Sequence, residues 1–129
     1  MVLVDTDVLV DILRGRSDAA ETLDHISSTD SLATSIVTRM ELVSGCRNRD
    51  ELGEVGRLLR RFEVIPVNEA VSESAAGLLE EYRLSHGLLI PDAFIAATAM
   101  HHDAALLTRN IKHFAYLSEL KLHVKSERA

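Results

Sequence analysis

The chain opens on three apolar residues, Val2, Leu3 and Val4, and the run stops at an aspartate, Asp5. Such a run, two-thirds β-branched, predicts a short buried strand. Beyond it the period lengthens: Val8, Leu9, Ile12 and Leu13 fall on one face at helical spacing, which predicts a helix with Thr6 or Asp7 as its N-cap. The same alternation continues along the chain. Ala19, Leu23 and Ile26 predict a helix from Asp18 to about Ser28, and Leu32 to Thr34 a second strand. Ile36, Met40 and Val43, behind Ser35 as cap and ahead of Gly45, predict the next helix. Leu52, Val55, Leu59 and Phe62 line one face of a helix between Arg47 and Arg61, and Phe62 to Pro66 reads as a third strand. A clean stripe from Val71 through Ala75, Leu78 and Tyr82 predicts a long helix from about Glu69 to Ser85, ended by Gly87. Pro91 suits the first turn of an alanine-rich helix, Ala104 to Thr108 reads as a fourth strand, and Leu120, Leu122 and Val124 alternate as a short last one. The tail from Lys125 to Ala129 is expected to fray. Strands separated by helices throughout predict an α/β fold around a mostly parallel sheet.

Composition narrows this picture. At 129 residues and 47% hydrophobic, the chain is expected to be a single domain over residues 1–129 with its own core. Fourteen Lys and Arg against twenty Asp and Glu give a net charge of -6, which argues against gripping nucleic acid by bulk charge. It leaves room for a nuclease, whose metal-binding carboxylates count as negative. The single cysteine, Cys46, permits no internal disulfide and suits a reducing compartment as a small buried hydrophobe. No basic segment precedes the first apolar run, which carries Asp5 and Asp7, so no signal peptide is expected. No apolar stretch approaches the roughly 20 residues of a membrane span. The expectation is a soluble, cytoplasmic protein with no membrane partner.

The candidate chemistry is acidic. In an open α/β sheet, ligands bind beyond the carboxyl ends of the strands, where Asp5 must lie; capping of the following helix is the plainer role for Asp5 and Asp7. Glu41 sits in the helix after the second strand, at the same level. Asp92 stands at a helix start, where the dipole favours its ionised form. Thr108, Arg109 and Asn110 end the fourth strand at the same edge. Carboxylates gathered in a partly buried place repel one another unless cations compensate them. Oxygen ligands without histidine or cysteine suit Mg²⁺ or Mn²⁺ rather than zinc, and ions paired roughly 3.5–4 Å apart are the usual device for displacement at phosphorus. Between Arg47 and Arg61 five arginines outnumber three acids, either as a solvated face or as a patch that meets phosphates. His101 and His102 fall at a helix end, favoured by the dipole; His113, near Asn110, is a candidate for substrate contact.

Four segments in order carry a family likeness: Val2 to Leu9; Ser35 through Thr38 to Glu41, Leu42 and Gly45; Pro91 to Ala99; and Leu107 to Asn110 with Phe114. Together they resemble the PIN-domain ribonucleases, and more narrowly the VapC-type toxins of toxin–antitoxin pairs, over nearly the whole chain. The resemblance implies a PIN-like, mostly parallel five-stranded sheet with helices on both faces. It implies that Asp5, Glu41 and Asp92 ligate Mg²⁺ or Mn²⁺, that Asn110 occupies a fourth, normally acidic position, and that Thr6, Asp7 and Thr108 orient the ligands. The implied activity is metal-dependent endoribonuclease, a metal-activated water hydrolysing the phosphodiester to leave 5′-phosphate and 3′-hydroxyl ends. The implied partners are RNA, a cognate antitoxin lying along an apolar groove, and a second copy of the chain in a homodimer. Asn110 is the departure, since it offers an oxygen but no charge. Asp5-Thr6-Asp7-Val8 also resembles the nucleophile loop of haloacid-dehalogenase-type phosphatases, with Asp5 as nucleophile, but the later lysine and paired acids of that family are missing. A third reading is a catalytically weak RNA-binding PIN module.

Overall fold

Four short strands lie side by side, all parallel: β1 (Val2–Val4), β2 (Leu32–Ser35), β3 (Glu63–Ile65) and β4 (Ala105–Leu107), in the order β3-β2-β1-β4. This is seen in a computed structural model that describes residues 1–123. Parallel neighbours need crossovers, and helices supply them. Between β1 and β2 run α1 (Thr6–Leu13) and α2 (Ser17–Ser27); between β2 and β3, α3 (Ile36–Ser44) and α4 (Arg49–Leu59); between β3 and β4, α5 (Glu69–His86) and α6 (Ile90–His101).

Alternation along β1 divides the core in two. Val2 and Val4 pack with Leu9, Leu23 and Leu59 from α1, α2 and α4 on one face of the sheet, while Leu3 points to the other face, against Ile95, Ala96 and Phe114. Covered on both faces, the inner strands carry no polar alternation. Ala93, Ala96, Ala97 and Ala99 of α6 are wholly shielded. Their small side chains let α6 lie close to the sheet, with α5 packed outside it through Val71 and Ala75. That approach brings the start of α6, and Asp92 with it, to the edge where the strands end.

Three expectations are corrected. The sheet has four strands among the described residues, not five: the segment around Leu122 makes a single parallel bridge to Leu106, through Leu106 N–H to the Lys121 carbonyl and His123 N–H to the Leu106 carbonyl, both 2.8 Å. The burial of Leu120 in the second core cluster explains part of the alternation there without a ladder, and Val124 lies outside the described residues. The N-cap of α1 is neither Thr6 nor Asp7 but Asp5, whose extended backbone (φ -73, ψ 157) lets its side chain accept the Thr6 N–H. The stripe Ile36, Met40, Val43 is not the buried face of α3: Met40 and Val43 are 58% and 42% exposed, and Thr38 and Leu42 are buried instead. Thr38 turns inward because its hydroxyl has a partner at the strand-end edge.

Candidate active site at the strand ends

The exit of β1 is fixed from both sides. Asp5 N–H donates to the Leu107 carbonyl at 2.9 Å and the buried Thr34 hydroxyl donates to the Val4 carbonyl at 2.9 Å, tying β1 to β4 and β2 where they end. Both oxygens of the Asp5 carboxylate are engaged: Oδ1 accepts the Thr6 N–H and Oδ2 the Thr108 hydroxyl, each at 2.8 Å, and the residue is 5% exposed. Asp7, in the first turn of α1, accepts the Arg109 N–H at 3.2 Å and the Asn110 side-chain amide at 2.9 Å. Thr6 Oγ1 lies 2.7 Å from Glu41 Oε1 and 2.9 Å from Thr38 Oγ1. A hydroxyl has one proton and a carboxylate only accepts, so Thr6 donates to Glu41 and receives from Thr38. α1 and α3 are thereby joined through their polar sides.

The electrostatics bind these groups into one cluster. Burial, and then the charge of Asp7, pushes the Asp5 carboxyl up to about 7, partly offset by the Thr108 hydroxyl and Thr6 N–H; the charge of Asp92 adds to the rise. Burial also raises Asp7, against the Arg109 and Val8 N–H groups and the Arg109 charge. Asp92 is raised by burial, pulled down by His113, and pushed up again by Glu41 and Asp7. α6 starts without a side-chain cap, so capping does not account for Asp92. Among the described residues no three of these side chains close into a finished ion cage. They meet through their charges, with Asp5 held back by protein donors. An all-oxygen, anionic donor set in which Asp7 raises the proton affinity of Asp5 and Asp92, Asp92 that of Asp5 and Glu41 that of Asp92 fits a hard divalent cation, which relieves that repulsion.

Asp5, Glu41, Asp92, Thr6, Asp7 and Thr108 lie at this one edge, with His113 close enough to Asp92 to weigh on its protonation. Asn110 gathers too, but it turns its nitrogen rather than its oxygen to Asp7. Asp7 is more deeply engaged than its place in the sequence suggests. Two groups escaped the sequence reading: Asp11, 5% exposed on α1, and the Arg109 side chain that pairs with it at 2.7 Å. The available signal was an acid four residues after Asp7, on a helix whose neighbouring positions are apolar. His101 lies apart, its ring bonded to Ser74 Oγ at 2.7 Å. Of the five arginines near α4, Arg47 pairs with Glu51 and Arg61 with Asp24, which accords with a solvated face.

The sequence pattern of the PIN domain matches residues 2–120. The chain belongs to the PIN-domain family. Within that family it is similar to the VapC ribonucleases: this PIN domain is 40% identical over 122 residues to ribonuclease VapC10 of Mycobacterium tuberculosis, covering 94% of this chain and 91% of that one. Ribonuclease VapC19 of the same organism is 37% identical over 94% of this chain and 98% of its own. A toxin–antitoxin complex from Klebsiella pneumoniae contains a chain with the same fold, at a TM-score of 0.78 and 31% identity, over 93% of this PIN domain and 95% of that chain. Membership of this family removes the ground for a phosphatase reading of Asp5.

Proposed function

We propose that Asp5, Glu41 and Asp92 hold Mg²⁺ or Mn²⁺ and that the PIN domain uses this site to hydrolyse RNA as the toxin of a toxin–antitoxin pair. The observation that carries the reading is the cluster itself: four carboxylates from α1, α3, α6 and the end of β1 on one edge, three of them with raised proton affinity. When bound, a hard cation supplies charge for the departing oxygen and lowers the cost of forming a nucleophile from water at neutral pH. The chain does the rest. Thr108 and the Thr6 N–H orient Asp5, the Thr6 hydroxyl orients Glu41, and Asn110 and the Arg109 N–H orient Asp7. Such orientation of ligands by their neighbours is worth about 10–100-fold in affinity or activity. His113, beside Asp92, is assigned a contact with substrate.

Asp92→Asn is expected to cut an unstructured RNA about 10²-fold or more slowly than the parent, the scale of losing one electrostatic contact with the transition state. Its metal-free melting temperature at neutral pH should not fall, because the substitution removes a half-buried like charge. Equal cleavage rates would exclude Asp92 from the site and leave the catalytically weak RNA-binding reading in its place.

The partners follow the same reading. A groove of about 480 Å³ runs between α1, α3 and α4, floored by Val10, Leu13, Leu42 and Val55, with Glu41 at its margin. An antitoxin segment lying there would bring a basic side chain to the acidic edge. The free PIN domain is assigned a homodimer. Light scattering that shows a monomer at every concentration would overturn the dimer, and a protein encoded beside this one that fails to inhibit or co-purify would overturn the pairing.

A further inference from the structure

We propose that the ion pair between Arg109 and Asp11 is a positioning clamp, which holds the turn after β4 against the site carboxylates and so sets the rate of RNA cleavage without touching RNA or cation. The proposal rests on the ribonuclease reading. Asp7 and Asp11 stand four residues apart on α1, and residues so spaced share a helix face. Arg109 engages both: its backbone N–H donates to Asp7 at 3.2 Å, and its guanidinium forms an ion pair with Asp11, Nη1 lying 2.7 Å from Oδ2. The turn it belongs to delivers three donors to the site, namely the Thr108 hydroxyl to Asp5, the Arg109 N–H to Asp7 and the Asn110 amide to Asp7. Beside the turn lies a half-open pocket of about 190 Å³, bordered by Asp11, Asp18, Thr108, Arg109, Ile111 and His123. Across that space the ion pair is a polar tie between the turn and α1 that does not itself run through a site carboxylate.

The pair is asymmetric. The Asp11 side chain is 7% exposed and the Arg109 side chain 54% exposed. A buried carboxylate stripped of its partner carries the full cost of lost hydration, so Asp11 keeps Arg109 in place rather than the reverse. The exposure of Arg109 raises a rival role, direct contact with an RNA phosphate. The two roles separate in kinetics: a positioning residue alters turnover, whereas a phosphate contact alters substrate binding and its salt dependence.

The test compares Arg109→Met, Asp11→Asn, their double variant and Arg109→Lys with the parent, by steady-state cleavage of a short fluorescent single-stranded RNA at saturating Mn²⁺ and by amide hydrogen exchange. Each of the first two singles is expected to lower kcat about 10–100-fold with KM within about twofold. The double variant should be no slower than the worse single, since both break one interaction. Arg109→Lys, which keeps the charge and loses the planar guanidinium, should recover part of the rate. The Arg109 and Asn110 amides should exchange about tenfold or more faster in Asp11→Asn. Parental kcat in Arg109→Met, or a raised KM with a flattened salt dependence, would overturn the clamp. A parent that cuts no RNA would overturn the ribonuclease reading instead, and unchanged amide exchange in Asp11→Asn would overturn the clamp whatever the activity. Should Asp11→Asn fail to fold, Arg109→Met decides the matter through the same exchange and kcat readouts.

Discussion

Asp5→Asn is expected to melt about 5 °C or more above the parent protein at pH 8 in metal-free buffer, while cutting RNA about 10²–10³-fold more slowly. Asparagine caps a helix as well as aspartate does, so its oxygen can keep the Thr6 N–H, and the Thr108 oxygen has a lone pair free to accept the new amide. What is lost is a buried negative charge beside Asp7 and Asp92. The pH dependence follows from the raised carboxyl. Between the ordinary value of 3.8 and about 7, folded Asp5 binds more proton than unfolded Asp5, so the parent loses stability as pH climbs through that window. Asp5→Asn carries no such proton. The two proteins should therefore melt nearly together below about pH 4, separate between pH 4 and 7, and stay apart above it. Melting temperatures that remain parallel from pH 4 to 8 would place Asp5 among ordinary solvated carboxylates.

Phe114→Ala is expected to cost about 3–5 kcal/mol, the largest stability loss from one side chain near the site. Phe114 is 1% exposed and packs with Ile95, Leu106 and Leu117, immediately beyond the 3₁₀ turn Ile111–His113 that follows Asn110. It is the anchor of the segment that carries Asn110 and His113. Denaturant unfolding should show the loss as a lower midpoint with little change in slope, and cleavage by the folded fraction should fall as well. A cost below about 1 kcal/mol would mean that the segment after β4 is not part of the cooperative core.

The strand ends were legible in the sequence because a carboxylate closing an apolar run is costly and therefore informative; Asp5 announces itself. Asp92 was legible through Pro91 and the alanines behind it, which fix a helix start close to the sheet. The α3 stripe misled, since Met40 and Val43 keep helical spacing on a face the monomer leaves exposed, while Thr38, polar by type, turns inward to meet Thr6. Periodicity counts apolar residues and cannot see that a hydroxyl has a partner waiting 32 positions earlier. Asp11 was hidden for the same reason. Its burial depends on Arg109, far along the chain, and neither residue alone departs from what a helix face or a turn ordinarily carries. Among the described residues the last strand shrinks to one bridge, because two alternating leucines describe burial as well as pairing.

If the clustered carboxylates form a cation site, calorimetric titration of Mn²⁺ into the parent, Asp5→Asn and Asn110→Asp shows it most directly. Asn110 offers Asp7 a donor; replacing it with aspartate removes that donor and adds an anionic oxygen, and affinity for hard cations rises with ligand charge. The expected result is saturable binding by the parent, a loss of about tenfold or more in affinity in Asp5→Asn, and tighter binding in Asn110→Asp. Equal affinities in all three proteins would contradict a cation site at this edge.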